Sequence, residues 1–407
     1  MIFNIFSAII VFILFLVFII DLIPKFNNWL SRIHIGRHQD FFVWKISITS
    51  KAVSWLCNIP KIKVTDNTRL IVLDMLKGNY SKSTIQYWQE AALLLGLNET
   101  LMFDQDEKVQ LAINKFLQKK FNSQGDWNVK PREIDSAILS YAVMNLEGFD
   151  KDKYRKAFDY TWQLIKEHIG IDGTVQYRKS MKDYRYVDTI GFICPFLIKY
   201  GVEYNKLDCV ELAVKQIIEY EKFGMLSGYY IPCHTYEVNK KIPMGLYGWG
   251  RGLGWLAIGL IDSWNELPNN HIYKLKLEEI IKKYAKAVTE FQLEDGSWTW
   301  TVTRKETRTD SSTTATLAWF LLNAATIKEI SEVCLESSER AIKFLMKVTR
   351  RNGAVDFSQG DTKDIGVYSQ DFGLLPFTQG FCIRVLSLYK SNRTLELDQY
   401  SKKQSIV

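Results

Sequence analysis

The stretch YKLKLEEIIKKYAKAVTEFQLEDGSWTWTVTRKETRTDSSTTATLAWFLLNA (273–324) holds the unit from which the fold is read. Its first part places Leu277, Ile280, Ile281, Tyr284 and Val288 at the i, i+3, i+4, i+7 spacing of a helix with one apolar stripe. Asp295-Gly296 then stops the helix, SWTWTVTR (297–304) alternates like a short strand, and a second helical stretch begins near Ser312. The unit is therefore helix, turn, short excursion, helix.

Working outward, Asp172-Gly173, Ser227-Gly228 and Asn352-Gly353 repeat the turn, each after a long helical pattern. TRLIVLDML (68–76), STIQYWQEAALLLGL (83–97) and KVQLAINKFLQKKF (108–121) carry the same period, as do stretches beginning near Ile134, Tyr154, Asp188, Lys206, Gly252, Tyr273, Ser331 and Phe377. About twelve such helices in pairs predict an all-α fold, an (α/α)6 barrel with inner and outer rings and the excursions gathered at one mouth. A helical solenoid would show a fixed period and capping repeats, and neither is found. No Pro/Gly/Ser linker interrupts residues 66–395, which read as one domain followed by a polar tail, 396–407.

The N-terminus is different. MIFNIFSAIIVFILFLVFII (1–20) has no charged side chain, and a helix of that length, roughly 30 Å, matches a bilayer core. A signal peptide would want a basic start and a small-residue cleavage site, and neither is present. Residues 1–24 are expected to be a single-pass anchor contacting lipid, and 25–65 a basic juxtamembrane segment. Lys25, Arg32, Arg37, Lys45 and Lys51 all follow the span, so the positive-inside rule favours the large domain on the cytoplasmic side.

Of the net charge of +7, +3 falls here, since residues 1–60 hold five Lys/Arg against Asp21 and Asp40, and the other +4 is spread over the rest. The rest carries no basic stripe, which argues against nucleic acid as a partner. Six cysteines form no CxxC pair, and no HExxH or clustered His/carboxylate pattern appears, so neither metal nor cofactor is expected.

Four places could carry chemistry. Asp135, in PREIDSAILSYAVM, and Asp188, in DYRYVDTIGFICPFLIKYG, each open a helix. Either could be an ordinary cap; Asp188, among aromatic and apolar residues, also suits a desolvated general acid. In GLYGWGRGLGWLAIGLIDSWNELP (245–268) glycines alternate with Trp249, Arg251 and Trp255. The glycines could admit a ligand close to the backbone, beside two stacking faces and a guanidinium fork for a carboxylate, or could simply pack. His234, in SGYYIPCHTYE, is either catalytic or structural.

In this order the segments resemble the unsaturated rhamnogalacturonyl and glucuronyl hydrolases, glycoside hydrolase families 88 and 105. REIDSAILSYAV, KYRKAFDYTWQLI (153–165), the Asp188 segment (186–201), GYYIPCHTY (228–236), WGRGLGW and the 292–315 segment carry the likeness, over roughly residues 68–390. The resemblance implies an (α/α)6 barrel that hydrates the C4=C5 double bond of an unsaturated uronic acid at the non-reducing end of an acidic oligosaccharide. It implies Asp188 as the acid and water activator and Asp135 opposite, holding hydroxyls and tuning Asp188. His234 and Arg251 would bind the uronyl head, and Trp249 and Trp255 would pack on the ring. The chain departs from relatives at Ser136, at Thr189 and around Asp310. Two other readings stay open: a sugar epimerase on the same toroid, which generally needs a His pair, and a membrane-anchored glycan-binding protein without catalysis.

Overall fold

The structure, a computed structural model, describes residues 2–60, 66–67, 69–78, 86–148 and 150–389. The chain is mostly helical. Five helices and the stretch 376–389 line the inside of a toroid: Tyr87–Leu101, Ser136–Met144, Val187–Glu203, Gly250–Glu266 and Ser311–Ala324. Outside them lie Phe41–Cys57, Glu107–Lys120, Lys151–Lys166, Leu207–Phe223, Lys274–Glu290 and Ser331–Lys347.

The two sets differ as their positions demand. Lys274–Glu290 buries the stripe predicted from its spacing, including Leu277, Ile280, Ile281, Tyr284 and Val288, and leaves Lys276, Lys283 and Lys286 to water. In Ser311–Ala324 every residue is buried, because this helix is covered by neighbours on all sides. Close crossings of the inner helices need missing side chains. A Cβ on Gly259 would collide with the backbone of Ile190, and one on Gly254 with the Thr316 hydroxyl. The glycines of WGRGLGW thus serve helix packing, not the backbone approach to a ligand considered above.

The turns tie the outer ring together. Gly125, Gly296 and Gly353, all with positive φ, sit against the backbones of Lys153, Arg340 and Ser47, each on the next outer helix. Gly353 docks on Phe41–Cys57, which is how the last turn finds the first outer helix. The Gln379 side-chain amide adds hydrogen bonds to the carbonyls of Ile48 and Gly353, both 2.9 Å. On the inner side, the Phe377 amide donates to Gln89 Oε1 at 2.8 Å and Arg384 stacks 3.7 Å over Trp319, so 376–389 closes the ring.

Two sequence expectations are corrected here. The segment expected as a basic juxtamembrane stretch contains Phe41–Cys57, a member of the outer ring with Trp44, Ile48, Ala52, Trp55 and Leu56 buried. Conversely, of the stretch 68–76 the helix Ile71–Leu76 is no ring member; it lies against the N-terminal helix. The tail 396–407 is outside the described residues.

The N-terminal helix runs from Ile2 to Arg32 with no buried residue, and is long and apolar enough to cross a membrane. Its C-terminal end is fixed to the toroid. Arg32 donates to both Asp356 oxygens, at 2.7 and 2.9 Å, and to the Phe372 carbonyl at 2.9 Å.

Candidate active site

The N-terminal ends of the inner helices and the excursions preceding them build one cavity of about 190 Å³. A small antiparallel sheet sets its geometry. Tyr184–Tyr186 pairs with Thr235–Glu237, so that Tyr186 faces Thr235. The Val187 amide then donates to the His234 carbonyl at 3.1 Å, which brings His234 beside Asp188. Their side chains stand 3.8 Å apart, from Nε2 to Oδ2. Trp249 is placed by a bridge to Thr301, and its ring lies 4.6 Å from that of His234.

Asp188 is not a cap: it is the second residue of its helix, and its Oδ2 is buried without a hydrogen-bond partner. Burial pushes its carboxyl up to about 7; its own backbone amide and the Arg251 charge oppose the shift, and Asp361 adds to it. His234 is pushed down to about 4, by burial first and then by Arg251. The imidazole is therefore neutral at pH 7, and the pair is not an ion pair. Its Nδ1 lies 3.2 Å from the Tyr368 hydroxyl, whose oxygen accepts the Leu246 amide at 2.9 Å. With that hydroxyl donating to Nδ1, the proton of the imidazole sits on Nε2, facing Asp188.

Arg251 does not present a free fork. Its guanidinium donates to the carbonyls of Gln359 and Gly360, both at 2.6 Å, and lies 3.3 Å from the Thr362 hydroxyl. It holds the excursion that carries Asp361, Thr362, Lys363 and Asp364 as one wall of the cavity. Trp249 likewise gives its indole N–H to Gln359 Oε1 at 2.9 Å. Trp255 is 1 % exposed and packs edge-on against Trp88 and Phe192, so it forms the floor.

Asp135 is not a wall of this cavity. It sits half-buried at the start of Ser136–Met144 without capping it, and accepts the Tyr87 amide at 3.1 Å instead. Burial pushes it up to about 7, against the pull of Arg178 and the Tyr87 amide. Tyr177 connects the two carboxylates, because both charges reach its hydroxyl and help raise its pKa beyond what burial does.

Several residues were not singled out from sequence. Arg178 and Lys363 supply positive charge on the cavity wall, and Tyr177, stacked 6.0 Å from Phe192, supplies an aromatic shelf. Tyr177 and Arg178 end the excursion GTVQYR, whose position after a Gly turn was the available signal. Tyr368 and Gln359 follow Asn352-Gly353 with no local pattern. Asp310, one of the departures, is a true cap: it accepts the amides of Ser312 and Thr313 and also that of Gln359, at 2.9 Å.

Among the described residues no group of three or more His, Cys, Asp or Glu is arranged to hold a metal. His234 is the one histidine on the cavity wall, so the His acid–base pair of an epimerase has no counterpart there.

An aromatic-walled cavity at the mouth of an all-α toroid, with a desolvated carboxylic acid set against it, suits an enzyme that works on sugars. The family model described as Glycosyl Hydrolase Family 88 matches residues 62–372, and the chain belongs to that family of glycoside hydrolases. No curated protein matches it in sequence. Solved structures share the fold at low identity. A possible member of the GH105 family from Salmonella enterica is 17% identical, covering 88% of this chain and 96% of its own, with a TM-score of 0.74. A possible GH105 member from Klebsiella pneumoniae is 16% identical, covering 88% and 94%, at 0.73. The unsaturated glucuronyl hydrolase from Bacillus sp. GL1 is 15% identical, covering 86% and 95%, at 0.65.

Proposed function

We propose that this hydrolase removes a 4,5-unsaturated uronic acid from the non-reducing end of an acidic oligosaccharide. The observation that carries the reading is Asp188: a carboxyl on the cavity wall, desolvated, unpartnered at Oδ2 and poised near neutrality. A group balanced in this way can both give and take a proton at pH 7. Protonated Asp188 delivers its proton to C4 of the vinyl ether. The carboxylate left behind takes a proton from the water whose oxygen bonds to C5. The resulting hemiketal opens, the C–O bond to the neighbouring sugar breaks, and the alcohol and keto-acid separate. Carboxylate spacing rules for displacement at the anomeric carbon do not govern this addition.

The other residues take roles from their surroundings. Neutral His234 directs Nε2–H at Asp188 and at the water beside it. Arg251 contributes positive potential and holds the Gln359–Thr362 wall, while Arg178 and Lys363 meet the substrate carboxylate. Tyr177, Tyr186 and the edges of Trp249 and Trp255 face the sugar ring. Asp135 acts from behind Tyr87 and through the field at Tyr177, tuning the site from outside the cavity wall. Residues 1–24 anchor the enzyme in a bilayer as a single span, with the basic residues that follow favouring the cytoplasmic side.

The test is loss of the ultraviolet absorbance of the conjugated C4=C5 uronate from lyase-generated disaccharides. Turnover of glucuronyl or galacturonyl substrates, abolished in Asp188→Asn, supports the reading. No turnover of either, with glycan binding retained, returns the protein to a binding role.

A further inference from the structure

The anchor helix leaves the toroid beside the cavity. Arg32 is bound to Asp356 and to the Phe372 carbonyl, in the excursion that also provides Asp361–Asp364 as a cavity wall. Eleven residues earlier, roughly 16 Å along the helix, the Asp21 carboxylate accepts the amides of Leu70 and Ile71, at 2.7 and 2.8 Å. These begin the short helix Ile71–Leu76. Asp66, just before it, accepts the Ser369 hydroxyl at 2.8 Å and pairs with Lys363, itself a wall residue, at 3.4 Å. Span end, short helix and cavity wall are therefore neighbours.

The short helix is built for an apolar surface. It buries Ile71 and Asp74 but exposes Leu73, Met75 and Leu76, the last by 80%, and Leu70 just ahead is exposed too. On the long helix at the same level Leu22, Ile23 and Phe26 are also exposed. Arg69, Lys77 and Lys25, all exposed, flank these positions. Apolar groups at the level where a span ends, bracketed by cations, are the composition of a lipid interface, and each exposed leucine gains about 25 cal/mol per Å² by entering it. In water the same surface would be an unfavourable apolar patch on a hydrolase rim.

We propose that the helix Ile71–Leu76 lies in the headgroup region of the bilayer, clamped to the span by Asp21, so that the cavity opens along the membrane surface and takes acidic glycan from there. This rests on the reading of residues 1–24 as a span. It commits the mouth, rather than the opposite end of the toroid, to the lipid side.

The full-length protein in vesicles of phosphatidylcholine and phosphatidylglycerol, with Cys57→Ser, carries an environment-sensitive fluorophore at one of four positions: Phe12→Cys, Leu73→Cys, Leu76→Cys or Val129→Cys. Quenching by nitroxide lipids is read at each. The expected result is several-fold stronger quenching at 12, 73 and 76 than at exposed Val129, with a blue-shifted emission at 73 and 76. Quenching at 12 but water-like signals at both 73 and 76 overturns the proposal and leaves the anchor standing. Water-like signals at all four positions overturn both. Melting curves that match the unlabelled protein certify the fold of each labelled form.

Discussion

The two ends of the inner helices treat buried charge in opposite ways. At the ends away from the cavity, Arg384 donates to Glu99 and Asp262, at 2.8 and 2.9 Å, and Lys199 reaches Glu266 at 3.0 Å. Burial pushes Glu99 up to about 7, as it does Asp188, yet Glu99 is met by a guanidinium hydrogen bond that pulls the other way. At the mouth, Oδ2 of Asp188 has no hydrogen-bond partner, and the cation whose charge acts on it, Arg251, spends its hydrogen bonds on carbonyls. The same desolvation thus makes a structural floor where a charge is answered and a reactive group where it is not.

The largest effect expected from this contrast is on turnover. Asp188→Asn should lower it about 10²–10⁴-fold, the usual contribution of a positioned acid–base group, with the fold intact by circular dichroism. Arg384→Met should do the reverse. It leaves Asp262 and Glu99 buried without their cation, so denaturant unfolding should show a loss of about 3–5 kcal/mol while substrate affinity of the surviving folded enzyme holds. Equal effects of the two substitutions on stability would break the comparison.

pH sharpens it. The Asp188 carboxyl titrates near 7 in the fold against 3.8 for the free group. Folding therefore binds a proton between those values, and the stability that Asp188 contributes falls as pH rises from about 4 through about 7. Asp188→Asn should raise the stability measured at pH 8 by about 4 kcal/mol and change it little at pH 4. Wild-type turnover should decline above pH 7 as the acid form is lost. Tyr368→Phe is the mildest probe. Losing the hydroxyl between the Leu246 amide and His234 Nδ1 frees the imidazole tautomer, and turnover should fall about fivefold, the equivalent of about 1 kcal/mol.

The sequence showed most of the toroid because its helices carry a strong period and its turns carry Gly. Where it misled, long-range packing decided. Lys45 and Lys51 made 41–57 look like a charged juxtamembrane stretch, although Trp44, Ile48, Ala52 and Trp55 held the helical spacing; the turn that docks there lies some 300 residues on. Asp188, His234, Trp249, Arg251 and Trp255 were legible by type and do meet in one cavity. What Arg251 binds was not legible, since its partners are backbone carbonyls that any residue could supply. Asp135 and Asp188 both open helices in sequence, and only the apolar surroundings of Asp188 marked it as the acid. The structure separates them by which one reaches the cavity.

The docking of Gly353 on Ser47 gives the ring a seam. The helix pair that shuts it is made from the two extremes of the domain, 376–389 and Phe41–Cys57, with the Tyr389 ring tilted 5.6 Å from that of Phe41. A nascent chain can therefore cover Phe41–Cys57 only in part, with Tyr87–Leu101 and Glu107–Lys120, until the last inner helix is made. Closure is a long-range event, slow by its loop entropy, and fastening both termini together makes fraying from either end costly.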